Sequence, residues 1–415
     1  MNPDFVRGAH HAIPSTSGFD KAEAQAFIEF CVDLDNQDDR LRDPTLERYQ
    51  ANPAHMPGWV KLFDSRDLVA QDLAAFHAGH PNAGTEPWTK VYKEAIERAQ
   101  DNPPASWSAE ALKEDARYNG FGPYQSAWTL YKLNDKTYAI AIRGTVISSA
   151  PSVFADLYIH PVKGDKFLSP HVKFANLDGA ALHSGFAHAT FTLMLDERYG
   201  VLRAMAALPA NSKLYIVGHS QGAAMGTLVH AFLYHGMQNA TQQEDPFRLL
   251  GKSFLLKSYA FAQPKPGNAV FAAEFASFTQ PLDNAIVINN PLDPVTQVPL
   301  TLQDLGDLNN FLPNSSGGWM FVHKLGGIGP ALRGAVGRLA EPFVRKNATG
   351  YGYFFNYPEL GIATDAPVDE VASSWNFTPV GHVIYVYGST SEVSTKDDFL
   401  QHHAWYYREL IEKQL

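Results

Sequence analysis

Cysteine is nearly absent: Cys31 is the only one among 415 residues. No intrachain disulfide can form, and a cysteine-based zinc site is excluded. Cys31 sits in AFIEFCVDL, an apolar run at helical spacing, where a small core residue is the expected role. Positive charge is scarce as well. Lys and Arg number 33 against 43 Asp and Glu, a formal net charge of −10. Such a chain lacks the basic surface that sequence-independent attraction to phosphates requires, so no nucleic-acid partner is expected. Long apolar runs are also missing. No stretch reaches the about 18 uninterrupted apolar residues of a membrane helix. The opening MNPDFVRGAHHAIPSTSG has no apolar core of a secretory leader. The expected location is therefore cytoplasmic, or outside the cell without a cleaved signal. No cluster at metal-ligand spacing and no phosphate-cradling loop stands out, so neither a metal nor a cofactor is expected.

What remains is an ordinary globular composition, 45% hydrophobic and 18% charged, with ample material for a large core. Residues 20–34 and 86–100 carry apolar residues at helical spacing. Residues 1–120 are read as a mostly helical N-terminal region covering a main domain over 121–415. That domain opens with a predicted hairpin. One strand covers 128–133, Asn134-Asp135 turns, and Tyr138, Ile140 and Ile142 alternate on the next strand. A helix is predicted from about 185 to 207, ended by Pro209-Ala210-Asn211. Short apolar strands follow at 213–217, 254–262, 285–289 and 383–387, and a last helix at about 397–413. Residues 301–378 form an insertion rich in Gly and Asn before the last strand. Strands separated by helices predict an α/β fold, a mostly parallel central sheet with helices on both faces.

Gly218-His219-Ser220-Gln221-Gly222 carries the chemistry. Gly-x-Ser-x-Gly is common by chance, but here it follows the strand pattern KLYIV and opens the helix pattern AAMGTLVHAFLYH. A nucleophile elbow needs that context. Its serine stands on a sharp turn, flanked by glycines that let strand and helix approach. The helix N-terminus adds a positive field, and the backbone N–H of Gln221 faces the place where an oxyanion would form. The alternative is a tight glycine turn with an incidental serine. A serine hydroxyl is a weak nucleophile and needs a base, and the base needs an orienting acid. In this fold the chain order is Ser, acid, His, with the acid after a strand. Asp293, just beyond the predicted strand 285–289, meets that requirement, though Asp-Pro is also a common turn. Asp283 precedes the strand and is the weaker choice. The base lies among His323, His382, His402 and His403. His323 falls in the insertion. His382 begins the last strand, at the end of a parallel strand away from the elbow. His402 and His403 lie beyond that strand, and position alone favours them only modestly over solvated surface histidines.

Taken together, several segments resemble the class 3 lipases, the fungal-lipase-like family of triacylglycerol lipases and plant phospholipase A1 enzymes. The resemblance runs from about 138 to 410 and is patchy. Ile142-Arg143-Gly144-Thr145 resembles the family's strand-end RGT, and Asp156 stands where a downstream Asp is usual. His183-Ser184-Gly185-Phe186 is similar to H-x-G-F. The elbow has Gln221 where Leu is commoner. Phe261 to Asn268 is similar to FGQPRVGN, and Asp293 to Pro299 resembles D-x-V-P-x-x-P. The resemblance implies an α/β-hydrolase fold and assigns Thr145, through its N–H and hydroxyl, to the oxyanion hole beside Gln221. Trp375-Asn376-Phe377 and Val380-Gly381 resemble the plant branch, in which the catalytic histidine precedes a tyrosine by five residues. His402 stands in that relation to Tyr407, so His402 is favoured as base with His403 in reserve. On a helix His403 would point about 100° away from it.

Two segments could contact lipid. Residues 146–170 occupy the family's lid position. Residues 319–346 carry Ile328, Leu332, Val336, Leu339 and Phe343 at helical spacing, with five basic residues against Glu341 alone. A basic amphipathic stretch can lie transiently on a lipid surface; it can equally be a helix packed on the core. The expected activity is hydrolysis of carboxylic esters of lipids, as a triacylglycerol lipase or carboxylesterase, through an acyl-enzyme on Ser220. A phospholipase A1, including a secreted effector, is the second reading. A catalytically inactive hydrolase fold used for binding is the third. Oligomeric state is left open.

Overall fold

The computed structural model describes residues 18–35, 47–67, 124, 126–146, 152, 155, 156, 159, 161–168, 171–196, 200–299, 377–389 and 400–415. The predicted helix 86–100, His323, the basic segment 319–346 and all of the 301–378 insertion except Phe377 and Thr378 lie outside the described residues.

The chain enters with helix α1, Lys21–Asp35. Strand β1, Val60–Asp64, was not anticipated from the sequence. The predicted hairpin forms as β2, Trp128–Asn134, and β3, Thr137–Ile142, paired antiparallel. Then come β4, Pro161–Lys163, β5, Ala181–His183, and α2, Ser184–Leu195. Helix α3 is Val201–Ala207. The single helix expected over 185–207 is therefore two. The break has a local cause: Gly200 caps α3 in extended geometry, and Asp196 has already left helical geometry at the end of α2. Strand β6 is Lys213–His219, followed by α4, Gln221–Asn239, and β7, Leu255–Phe261. The remaining elements are β8, Gly267–Asn268, α5, Ala269–Thr279, β9, Ala285–Asn289, β10, Phe377–Thr378, β11, His382–Tyr385, and α6, Ala404–Gln414.

The main sheet has the order β1-β2-β3-β6-β7-β9-β11. From β3 to β11 every neighbouring pair is parallel, and the antiparallel hairpin strand β2 and strand β1 extend one edge. A smaller sheet, β10-β8-β5-β4, lies apart from it. This is the α/β-hydrolase architecture, a mostly parallel sheet covered on both faces.

Alternation along the strands explains the two covers. On β3 and β6, Tyr138, Ile140, Ile142, Leu214 and Ile216 pack with residues of α2, α4 and α5. Between them Ala139, Ala141, Tyr215 and Val217 face α1 and α6. The small Ala139 and Ala141 leave room for the aromatic residues of α1. Phe30 stacks flat on Tyr131, ring centroids 3.8 Å apart, and Phe27 tilts onto Tyr215 at 4.6 Å. Cys31 is buried in the same layer.

Polar contacts fix α1 along the sheet. Glu23, in its first turn, takes the Lys257 ammonium at 2.6 Å and the Tyr259 hydroxyl at 2.8 Å, and also accepts from Tyr215. Burial opposes ionisation of Glu23, but the hydrogen bonds from Lys257 and Tyr215 and the neighbouring lysine charges outweigh it and hold its carboxyl below the usual range. Glu29, fully buried, receives Arg408 of α6 at 3.2 Å. Among the described residues no helix is long and apolar enough to cross a membrane.

Candidate active site

The parallel strands direct their C-terminal ends to one edge of the sheet, and β6 delivers Ser220 there. Ser220 has φ 57° and ψ −131°, a positive φ that costs a residue with a side chain roughly 1–3 kcal/mol and persists only where the surroundings enforce it. Here they do. The Ser220 N–H donates to the carbonyl of Phe261 at 3.0 Å, and the Ser220 carbonyl accepts from Ala223 N–H at 2.9 Å. A Cβ on Gly218 would lie 2.1 Å from the Gly222 carbonyl oxygen, and one on Gly222 would lie 2.3 Å from that of Ile142. Both glycines are sterically required. Gly226 is not: a Cβ there would sit 3.4 Å from Ile216, an ordinary contact. The close approach of helix to sheet is carried by Gly222, not by Gly226.

Three predicted residues come together. The Ser220 Oγ lies 2.8 Å from His402 Nε2, and His402 Nδ1 lies 2.9 Å from Asp293 Oδ2. Asp293 follows β9 and is fully buried. Its other oxygen accepts from Val295 N–H at 2.9 Å, so the residue also caps the turn Pro294–Gln297. Asp293 thus caps the turn with one oxygen and faces His402 with the other. The two weaker candidates pair with each other elsewhere: His382 Nδ1 meets Asp283 Oδ1 at 2.8 Å, at the start of β11.

The predicted helix over 397–413 starts later than expected. His402 closes a short 3-10 turn, Leu400–His402, and His403 is the extended residue that caps α6. The angular separation of the two imidazoles therefore comes from this change of backbone and not from a shared helix. His403 is buried, its ring stacked near Trp405 at 5.8 Å.

Thr145 and Gln221 flank the elbow. The Thr145 hydroxyl donates to Asp156 Oδ2 at 2.8 Å. The Gln221 side-chain amide donates to Asp156 Oδ1 at 2.8 Å and to the Ser152 carbonyl at 3.1 Å, while its oxygen accepts from the Ser152 hydroxyl at 3.2 Å. Ser152 and Asp156 belong to the segment after RGT, so Gln221 ties that segment to the elbow. Burial pushes the Asp156 carboxyl up to about 7, against the lowering effect of the bonds from Thr145 and Gln221. Of the 146–170 segment, β4 pairs with β5 in the small sheet.

Sequence reasoning passed over other residues at this site. Tyr407 served only as a spacing mark; its hydroxyl donates to Asp293 Oδ2 at 2.9 Å. Burial, and then the Asp293 charge, push its phenol well above the ordinary range, so it remains a donor. Asn290 N–H in turn donates to the Tyr407 oxygen at 2.9 Å. Ser152 carried no signal, because its partner Gln221 is distant in sequence.

The chain is similar to several known proteins. The family profile described as Lipase (class 3) matches residues 139–303. A secreted mono- and diacylglycerol lipase of Malassezia globosa, MDL4, is 26% identical over 251 residues, 60% of this chain and 73% of that protein. A second one from that fungus, MDL2, is 28% identical over 153 residues, 37% of this chain and 44% of the other. Among solved structures, M37 lipase is similar over 80% of this chain and 93% of its own at 16% identity, with a TM-score of 0.42. Rhizomucor miehei triacylglyceride lipase is similar over 59% and 79% at 19% identity, with a TM-score of 0.31. Residues 139–303 match the class 3 lipase family, and the similarity supports a carboxylic ester hydrolase.

Proposed function

We propose that the chain hydrolyses carboxylic esters of glycerolipids, with Ser220 as nucleophile, His402 as general base and Asp293 as the acid that orients it. The carrying observation is the unbroken chain of contacts from Ser220 Oγ through both nitrogens of His402 to a buried Asp293. His402 takes the Ser220 proton as Oγ attacks the ester carbonyl carbon. The tetrahedral oxyanion accepts from the backbone N–H groups of Gln221 and Thr145. The hydroxyl hydrogen of Thr145 is committed to Asp156, so Asp156 serves to fix Thr145 in place. The bond to the leaving oxygen then breaks, and His402 returns its proton to that oxygen, releasing an alcohol and leaving an acyl group on Ser220. Water attacks the acyl carbon with His402 again as base, which frees the fatty acid and restores the serine.

The names of the two Malassezia relatives support partial glycerides as substrates and action outside the producing cell. The test pairs covalent labelling with a substrate panel. A fluorophosphonate should label Ser220 and abolish turnover. Among mono- and dioleoylglycerol, triolein, phosphatidylcholine and p-nitrophenyl esters, the partial glycerides should turn over fastest. Absence of labelling would indicate a binding protein, and preference for phosphatidylcholine a phospholipase A1.

A further inference from the structure

The residue before the nucleophile is His219, buried at the end of β6. The elbow chemistry does not use its imidazole, yet both ring nitrogens have partners. Nε2 lies 2.7 Å from the backbone carbonyl oxygen of His402, and Nδ1 lies 3.1 Å from Asp35 Oδ2. Asp35 is the last residue of α1, far outside the segment 139–303 that matches the family. A backbone carbonyl only accepts, so Nε2 must carry a hydrogen. Nδ1 faces the Asp35 carboxylate. The His219 ring is tilted 36° to that of His402, with centroids 4.8 Å apart.

We propose that Asp35 and His219 are positioning residues for the general base: Asp35 holds the His219 ring, and the ring fixes the backbone of His402 through its carbonyl. The proposal rests on His402 being that base. The physical need is clear from the fold. His402 lies in a 3-10 turn outside the sheet, and its side chain must reach Ser220 and Asp293 together. A displacement of about 1 Å can cost roughly 100-fold in rate. Asp293 and Tyr407 set one end of the imidazole from α6 and the loop after β9. The bond from His219 ties the main chain of the base to the elbow itself. Its anchor is α1, held along its length by Glu23 and Glu29.

The test uses the full chain with a soluble p-nitrophenyl ester. Asp35→Asn should lower kcat by about two- to threefold with KM little changed and a melting temperature near wild type. His219→Ala should lower kcat by about tenfold or more with KM little changed, the loss of one aimed hydrogen bond. His219→Gln, whose amide can still reach the His402 carbonyl, should recover most of that kcat. Wild-type kcat in Asp35→Asn and both His219 variants would overturn the proposal, as would His219→Gln being as impaired as His219→Ala. If His219→Ala does not fold, the other two variants decide alone. His402→Ala is the separate control: activity there refutes the assignment of the base, whatever the His219 variants do.

Discussion

Tyr407 donates its hydroxyl hydrogen to the same Asp293 oxygen that faces His402 Nδ1, the two contacts being equal at 2.9 Å. One carboxylate oxygen thus serves both the imidazole and the buried phenol, while the other is engaged by Val295 N–H. The carboxylate cannot rotate without breaking one of the three. Tyr407→Phe removes one hydrogen bond to a charged group and leaves the packing intact. We expect kcat to fall about tenfold with KM unchanged, in line with the roughly 1.5 kcal/mol of a charge-assisted bond. Steady-state kinetics that place the loss in KM would argue against an orienting role for Tyr407.

The two carboxylate–histidine pairs provide an internal contrast. Asp293 with His402 meets Ser220; Asp283 with His382 lies at the opposite end of β9 and β11 and is exposed. Asp293→Asn and His402→Ala should each cost about 10³-fold or more in kcat. Asp283→Asn and His382→Ala should stay within about twofold, because an exposed ion pair contributes about 0–1 kcal/mol to stability and nothing to the reaction. The same four variants assayed side by side settle both assignments, and a severe loss in either exposed variant would refute the second.

The strand-to-helix transition at Ser220 was legible because periodicity changes from 2 to 3.6 across the Gly-x-Ser-x-Gly turn, a purely local signal. The parallel sheet was legible in the succession of short apolar strands and helices, and the position of Asp293 in its place just after one of those strands. What stayed hidden depends on pairs distant in the chain. Gln221 looks like an apolar position occupied by a polar residue until Asp156 and Ser152 are brought to it. Strand β1 has exposed Val60 and Leu62 and no clean burial alternation, so only its pairing with β2 defines it. His402 could not be separated from His403 by residue type or position; the 3-10 turn that aims one and caps a helix with the other is set by packing against the rest of the fold.

Several histidines are buried as neutral rings. Burial depresses His183 and His230 to about 3 and His235 to about 4. The unfolded value is about 6.5, so the folded state binds fewer protons in between. The stability these groups contribute is whole above about pH 6.5 and is lost as pH falls toward 3–4. Asp156 acts in the reverse direction. Its carboxyl is raised to about 7, so its contribution is greatest at low pH and is lost as pH rises from about 4 to 7. With three histidines against one carboxyl, the net expectation is a melting temperature that falls on acidification below pH 6.5. His230→Gln removes one titrating ring from beside Ser258 and Phe275. Its melting temperature should be lower at pH 7.5 but should fall less steeply between pH 6.5 and 5. Parallel curves for the variant and wild type would show that His230 does not contribute to the acid sensitivity.

Two glycines of the same helix should respond in opposite ways. Gly222 lies in the first turn of α4, directly under the end of β3. A Cβ there would lie 2.3 Å from the Ile142 oxygen, 2.6 Å from the Arg143 oxygen and 2.8 Å from the Arg143 carbonyl carbon. All of these are backbone atoms, so relief requires moving the strand end, which leads directly into Gly144 and Thr145. Gly222→Ala should therefore destabilise the fold by several kcal/mol, at least about 3 by analogy with overpacking of a rigid site, or fail to give soluble protein. Any folded fraction should label with a fluorophosphonate more slowly than wild type, because the Thr145 N–H is displaced with the strand. Gly226 lies one turn further along, where an added methyl meets the Ile216 side chain at 3.4 Å and Ile142 at 3.9 Å. Replacing glycine by alanine inside a helix gains up to about 1 kcal/mol when the space exists. Gly226→Ala should therefore melt at the wild-type temperature or a few degrees above it, with wild-type kcat. If Gly226→Ala proved as damaging as Gly222→Ala, the small residues along α4 would all be needed for its approach to the sheet, and the contact at Gly222 would not be the one that sets the elbow.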